Sequence, residues 1–523
     1  MPAIAMTNAT IELQRDTAPS EVISEAEAKF ERGRKMAGAI AAPLAFALIA
    51  IVSTGLDYKG RMLAGVVAAV AVLWMTEALP LPVTALLGPA LCIVLGVADA
   101  RTALAPFADP IAFLFIGSFM LARAMARHGL DRRIALAFLS WPWIVAHPAR
   151  LLAGVGLVTG VVSMWISNSA AAAMMLPITV GIIQALESLR PGDRSPAQPW
   201  PYATGLLLMT SFAASIGGLA TPVGTPPNLI GLGFIRQLIG VKISFFGWMA
   251  LAVPITLLLA AVLFGILGML HSAERGGDWS QGLETYLRRQ REQFGPWTAG
   301  QINALIALGL AFSLWLLPGI LGIILPEHHP VLRTIQDRLP ESVVSLAAAL
   351  LLFVLPVNLR RGEFTLTWSD AARIDWGTIL LFGCGMSLGN LMFSTGVARA
   401  LGSAILSLTG ASSLWGLTAV SIALTIVLSE ATSNTASASM MVPVVISLAQ
   451  AAGVSPLPPA LGATMGATFG FMLPVSTPPN AIVYGSGLVP ITRMMRAGIL
   501  FDILGFATIW LGLRILCPLL GLI

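Results

Sequence analysis

Cysteine, histidine and charge are all scarce in this 523-residue chain, and each scarcity closes off a class of function. The three cysteines, Cys92, Cys384 and Cys517, are scattered, odd in number and without ligand spacing, which excludes a disulfide framework and a zinc site. The histidines, His128, His147, His271, His328 and His329, fall in expected loops and share no ligand spacing beyond the adjacent last pair. Charged residues make up 11% of the chain against 56% hydrophobic, with a mean hydropathy of +0.84, so a soluble globular domain is excluded. The formal charge of +5 does not indicate a nucleic-acid partner, because the basic residues sit in loops, where they set membrane orientation. The amino-terminal segment has many charges and no apolar core, so it is read as a cytoplasmic tail over 1–36, ending in a surface helix at 21–35, rather than a signal peptide. Abundant alanine and an excess of arginine over lysine point to a bacterial inner-membrane protein.

What the chain has instead is apolar length. Eleven runs predict transmembrane helices near 37–55, 62–79, 81–98, 110–126, 202–222, 244–270, 298–318, 341–357, 377–395, 457–474 and 497–520. Two more stretches, 151–186 and 411–449, are too long for one span, and each has a polar cluster near its middle. A helix of 36 residues would reach about 54 Å against a hydrocarbon core of about 30 Å, so both are read as re-entrant hairpins with tips facing protein or a wet cavity. The expected fold is an all-α polytopic membrane protein embedded in a lipid bilayer. The lysine and arginine bias places the N-terminus in the cytoplasm, and an odd span count then leaves the C-terminus outside. A polar cytoplasmic connector, 271–296, separates a first half, 37–270, from a second, 297–523.

The halves repeat one another. "SNSAAAAMMLP" (167–177) matches "SNTASASMMVP" (433–443), each with a serine four residues before it, Ser163 and Ser429. Further on, "TPVGTPPN" (221–228) matches "LPVSTPPN" (473–480). Two motifs in one order, offset by 266 and 252 residues, with hairpins entering from opposite sides, form the pattern of an inverted repeat, whose interface near the midplane holds substrate.

Each motif interrupts a helix. The serine, asparagine and threonine oxygens suit N-caps; Gly224 or Ser476 is expected to close the incoming helix, Thr225 or Thr477 to cap the next, and Pro226 or Pro478 to fill its first turn. Helix N-termini favour an anion, and helix C-termini present carbonyl oxygens to a small hard cation such as sodium. No charge lies between Arg150 and Glu187 or between Arg194 and Arg236, and only Glu430 lies between Arg399 and Arg493. A dianion there meets no basic side chain, which argues for neutralisation by bound cations; screening by cytosolic water, sufficient for exchange alone, is the alternative. Small residues also pack membrane helices and proline pairs also kink them, but four correlated interruptions in two repeats favour a site. For Glu430, facing a cation, carrying a proton and making a structural hydrogen bond all stay open. No motif serine has a histidine or lysine nearby in sequence to act as a base, so an enzyme is not expected.

These residues, together with "WMTEALPLPVTALLGPAL" (74–91), resemble the divalent anion/sodium symporter family, carriers of di- and tricarboxylates and sulfate, from about residue 37 to 523. The resemblance implies a homodimer whose transport domain moves like an elevator against a scaffold domain. It implies substrate contacts from Ser167, Asn168, Ser169, Ser433, Asn434 and Thr435, with Thr225, Pro226, Thr477 and Pro478 beside them. One sodium would sit with Ser163, Ser167, Asn168 and Gly224, the other with Ser429, Ser433, Asn434 and Ser476. Ser169 stands where the family usually has threonine, which leaves substrate size open, and Ser476 could add an oxygen near the second cation. The resulting expectation is sodium-coupled symport of a small dianion, foremost a C4 dicarboxylate such as succinate, malate or fumarate. The alternatives are a sodium-independent dicarboxylate antiporter and a symporter of sulfate or another divalent anion.

Overall fold

A computed structural model describes residues 25–188, 200–272, 280–326, 329–410 and 412–523. His328 and the expected tail over 1–24 lie outside the described residues, as does 273–279 of the connector. The rest of the connector forms a helix, Ser280–Glu292. The expected surface helix is not separate: a single helix, Glu25–Val52, runs from the tail into the first span.

The described chain is almost wholly helical; its one sheet is a two-stranded antiparallel ribbon, Pro356–Asn358 with Glu363–Phe364. Helix starts follow local chemistry. Asp57, Asp109 and Ser244 accept from free first-turn amides, and Thr298 with Gln301 forms a reciprocal capping box. Among the described residues ten helices are long and apolar enough to cross a membrane.

Those ten differ from the eleven expected spans. Three expected spans are short: Leu81–Val94 and Glu341–Val354 have 14 residues each and Leu457–Gly466 has 10. The last was expected to run to 474, but the chain leaves the helix after Gly466 to build a break. Conversely, two hairpin arms, Asn168–Glu187 and Leu414–Ala431, have full crossing length. At about 1.5 Å per residue the four arms reach about 24–30 Å, so helix length alone does not hold them at half depth.

The eight helices around the interruptions are numbered here in chain order. The first half supplies α1 (Pro148–Ser163), α2 (Asn168–Glu187), α3 (Pro201–Gly217) and α4 (Pro226–Phe234). The second supplies α5 (Leu414–Ala431), α6 (Asn434–Ala451), α7 (Leu457–Gly466) and α8 (Pro478–Tyr484). Proline fills the first turn of α1, α3, α4, α7 and α8, where no intrahelical donor is lost.

Their packing is reciprocal. Within the halves, α1 and α2 pack on α3, and α5 and α6 pack on α7; between them, α4 lies on α6 and α7 while α8 lies on α2 and α3. Close approach depends on small residues: a Cβ on Gly217 would strike the Gly160 backbone, and one on Gly231 would strike the Thr464 side chain. α3 is buried from Tyr202 to its end at Gly217. At the junction of the halves Phe212 meets Phe471 edge-on at 4.9 Å, and Phe501 of the C-terminal helix Ile491–Leu519 meets Phe471 at 4.8 Å. Such aromatic pairs add about 0.5–1.5 kcal/mol each beyond area burial, which fixes the two broken helices against each other.

Candidate functional site

In the first half, α1 stops at Ser163 and α2 begins at Asn168, with Ser167 as N-cap accepting from the Ala170 amide at 3.3 Å. Ser163 is fully buried, and its Oγ donates to the Ala214 carbonyl at 2.6 Å while lying 2.9 Å from the Asn168 amide. The same terminal atom of Asn168 stands 3.1 Å from Ala214 O and 3.2 Å from Gly224 O. Turned one way, that atom is Nδ2 and donates to its neighbours. Turned the other, it is Oδ1, and four oxygens, of which only Ser163 Oγ carries a proton, gather about one point.

The second half repeats this geometry. Ser429 Oγ lies 2.8 Å from Ala467 O and 2.9 Å from Asn434 Oδ1, with one proton to share between them, while Asn434 Nδ2 donates to Thr468 O at 3.3 Å. Ser433 caps α6 by accepting from the Ala436 amide at 3.2 Å. A serine, an asparagine five residues later and a carbonyl at the C-terminal end of the neighbouring helix thus meet twice in one chain.

The breaks are longer than the motifs suggested. α3 ends at Gly217 and passes through a 3-10 turn, Gly218–Ala220; α7 ends at Gly466. Gly224 and Ser476 therefore close no helix. Gly224 instead brings its carbonyl to the first cluster, beside Gly218, whose missing side chain makes room for Asn168. Thr477 does accept from the Asn480 amide, at 3.4 Å, but Thr225 makes no cap and accepts instead from Asn168 Nδ2, at 3.4 Å. Pro226 is half-buried and Pro478 exposed, each at the first turn of its helix.

The asparagines that end the TPPN motifs hold the breaks in shape. Asn228 Nδ2 donates to Gly218 O at 2.9 Å and Thr221 O at 2.8 Å, and Asn480 Nδ2 donates to Gly470 O and Leu473 O, both at 3.0 Å. Ser211 on α3 donates to Asn480 Oδ1 at 2.6 Å and ties one half to the other.

Two of the matched positions that differ between the halves bear on Glu430. In the first half Thr221 Oγ1 donates to Met164 O at 2.6 Å, pinning the hairpin tip to the break. The counterpart of Thr221 is Leu473, which has no donor, and the counterpart of Met164 is Glu430. Glu430 Oε1 accepts from the Phe471 and Met472 amides at 2.6 and 2.9 Å, and Oε2 accepts from Ser476 Oγ at 2.8 Å. The donors lie on the break in both halves; in the second the main acceptor is a side-chain carboxylate, and Ser476 Oγ also lies 2.9 Å from Glu430 O, the carbonyl matched to Met164 O. The carboxylate also occupies the Ser476 hydroxyl, which was expected to face the second cation position.

Ser169 and Thr435 sit in the first turns of α2 and α6, both half-buried, and among the described residues their hydroxyls have no hydrogen-bond partner. They are free to donate to a ligand at two helix N-termini. Sequence reasoning missed Ala214, Ala467 and Thr468, which act through backbone carbonyls and leave no side-chain signature. It also passed over Gly218, although the doublet "GG" before a TPPN motif was a visible sign of close backbone approach.

Comparison with known proteins points the same way. The profile of the sodium:sulfate symporter transmembrane region matches residues 34–522. The sodium-dependent dicarboxylate transporter SdcS of Staphylococcus saprophyticus is 32% identical over 490 residues, covering 92% of this chain and 92% of that relative. SdcS of Staphylococcus aureus USA300 is 31% identical over 501 residues, covering 95% and 94%. Among solved structures, the YdaH transporter of Alcanivorax borkumensis superposes with a TM-score of 0.51 at 15% identity, over 80% of this chain and 87% of that one, which is a likeness of fold alone.

Proposed function

The chain belongs to the sodium:sulfate symporter family, and from that premise we propose that it is a multi-pass secondary transporter coupling sodium to the movement of a small divalent anion, foremost a C4 dicarboxylate. The observation that carries this reading is the duplicated oxygen cluster, Ser163–Asn168–Ala214 and Ser429–Asn434–Ala467. Uncharged oxygens at about hydrogen-bond spacing are the donor set of a hard monovalent cation. Gly224 completes the first cluster and Thr468 flanks the second; Ser167 and Ser433 act as caps that set the asparagines in place.

The anion binds where α2 and α6 begin. Ser169 and Thr435 offer free hydroxyls, the capped helix ends offer partial positive charge, and the two sodium ions beneath supply the compensation that no basic side chain provides. Thr225, Thr477 and the first-turn prolines Pro226 and Pro478 form the walls. Sodium binding turns Asn168 Oδ1 inward and fixes the α2 terminus, which makes cation and anion binding mutually dependent.

Movement is of the elevator type in a homodimer of the inner membrane, with the N-terminus cytoplasmic and the C-terminus outside. The separate layer formed by Glu25–Val52, Tyr58–Thr76 and Leu81–Val94 supports a scaffold, since the eight site helices pack chiefly with one another. On Glu25–Val52, Met36, Ile40, Leu44 and Leu48 present an exposed apolar stripe suited to lipid or a second copy. The division into halves 37–270 and 297–523 is supported by the reciprocal packing of α1–α4 with α5–α8.

Uptake of labelled succinate into proteoliposomes tests the proposal. Uptake should require an inward sodium gradient and fall sharply in Asn168→Ala and in Asn434→Ala. Uptake indifferent to sodium but dependent on internal dicarboxylate would replace symport with exchange, and sodium-driven uptake of labelled sulfate with none of labelled succinate would replace the substrate.

A further inference from the structure

The apolar helix that ends at Arg127 is followed by a short amphipathic helix, Leu130–Leu139, and the linker 295–297 leads into the apolar helix Ala299–Ile324. The two segments touch, since Gln301 Nε2 donates to His128 O at 3.1 Å. They therefore lie at one boundary of the membrane, the cytoplasmic one in the orientation proposed above. Leu130, Leu136 and Leu139 of the short helix are buried, whereas Phe138, Trp141 and, on the linker, Trp297 are exposed. Between the segments opens a cavity of about 500 Å³, lined by these three rings and by Arg133 and Arg291.

The charge of this cavity is unbalanced. Arg133 Nη1 donates to Pro296 O at 3.1 Å and Gln301 Oε1 at 3.0 Å, Nη2 donates to Gly295 O at 2.9 Å, and the guanidinium stacks on Trp297 at 4.5 Å. These neutral partners fix the group in place yet leave two of its five N–H donors, and all of its charge, unmatched. Arg291 has no hydrogen bond or ion pair among the described residues, and no acidic residue lines the cavity. The nearest acids in sequence are engaged elsewhere: Asp131 is buried and accepts from the Arg132 amide at 2.8 Å, and Glu292 lies 3.8 Å from Arg288 Nε. Two guanidinium groups on one cavity repel each other, and an anion between them removes that repulsion. Exposed tryptophans belong at the headgroup level of a bilayer, and guanidinium forks match phosphate oxygens. Arg150, stacked at 5.1 Å on exposed Trp143, extends the same belt.

We propose that this cavity binds the headgroup phosphate of an anionic phospholipid between Arg133 and Arg291, with the rest of the lipid covering Phe138, Trp141 and Trp297. Arg133 is the donor already held in position, and Arg291 comes from the connector helix Ser280–Glu292. A free phosphate ion carries the same charge but leaves the three rings in water, which is why the lipid is the better occupant. Basic pockets of this kind at the end of membrane helices suit anionic headgroups. The bound lipid joins the segment before the first hairpin to the linker that opens the second half, at a place remote in sequence from every residue of the oxygen clusters.

Native mass spectrometry of the purified full chain in detergent, titrated with phosphatidylglycerol or with phosphatidylcholine, tests this. The wild type should retain phosphatidylglycerol in preference to the zwitterionic lipid. Arg291→Gln, which breaks no bond among the described residues, should bind phosphatidylglycerol about fivefold more weakly, the usual effect of one basic residue at a membrane surface. Arg289→Gln removes the same charge from the same helix but does not line the cavity, and should bind as the wild type does. Glycerol 3-phosphate, which has the phosphate without the chains, should not displace the lipid at equal concentration. Equal retention of the two lipids, equal affinity in Arg291→Gln and Arg289→Gln, or displacement by glycerol 3-phosphate overturns the proposal. The readout is binding alone, so its failure leaves sodium-coupled uptake untouched.

Discussion

Replacing Gly218 with alanine puts a methyl group inside the first oxygen cluster. A Cβ built there collides with the Asn168 amide oxygen and lies 3.0 Å from Gly224 O and 3.1 Å from Thr225 Cβ. Neither backbone is free to give way: Gly224 N donates to Thr221 Oγ1 at 3.1 Å, and the O of Gly218 itself accepts from Asn228 Nδ2 at 2.9 Å. The amide of Asn168 must therefore move. Overpacking of a well-packed interior costs about 1–3 kcal/mol, which at about 1.4 kcal/mol per decade raises the sodium concentration for half-maximal uptake about 5- to 150-fold. The assay is succinate uptake into proteoliposomes across a range of external sodium at fixed substrate. Gly265→Ala is the control, because a Cβ there meets nothing within 4 Å. If Gly218→Ala kept the wild-type sodium dependence while the protein stayed folded, the first cluster would not be a cation site.

Asn228→Ala removes the donor shared by Gly218 O and Thr221 O in a fully buried turn; at about 1–3 kcal/mol per orphaned carbonyl, its melting temperature in detergent should fall and sodium-driven uptake with it. Ser211→Ala breaks the bond to Asn480 between the halves and should cost about 1 kcal/mol in thermal stability, with sodium affinity nearly unchanged. His271, just past the end of Phe245–Leu270, is pushed down to about 4 by burial and by nearby Arg493 and Arg496. The unfolded chain then binds more protons between about pH 6.5 and 4, so stability contributed by neutral His271 is present above that window and is lost as pH falls through it. A melting-temperature profile should show this acid sensitivity, and His271→Leu should flatten it.

Much of this was legible in the sequence because the motifs are unusual for their setting. Three polar residues at 167–169 and again at 433–435 disrupt apolar runs, and helix breaks appear at both places. The partners were less visible. The serine hydroxyls find backbone carbonyls, of Ala214 in the last turn of α3 and of Ala467 just past α7, and the side chains of those residues carry no hint of a role. Span counting failed where tertiary packing replaced lipid: α7 is 10 residues long because its continuation is used to bind Asn434 and Glu430. Glu430 was ambiguous for a physical reason. Its carboxylate is held by the Phe471 and Met472 amides and by Ser476, some 40 residues later in the chain, and two of those three donors are backbone groups with no side-chain signature.

Direct binding of radioactive sodium to the purified protein tests the central claim, that each repeated cluster holds one cation. Ser163→Ala and Ser429→Ala should each lower the bound sodium by about one ion per chain, and the double variant should lower it by about two. Full sodium binding in the double variant, with the fold intact, would contradict the account.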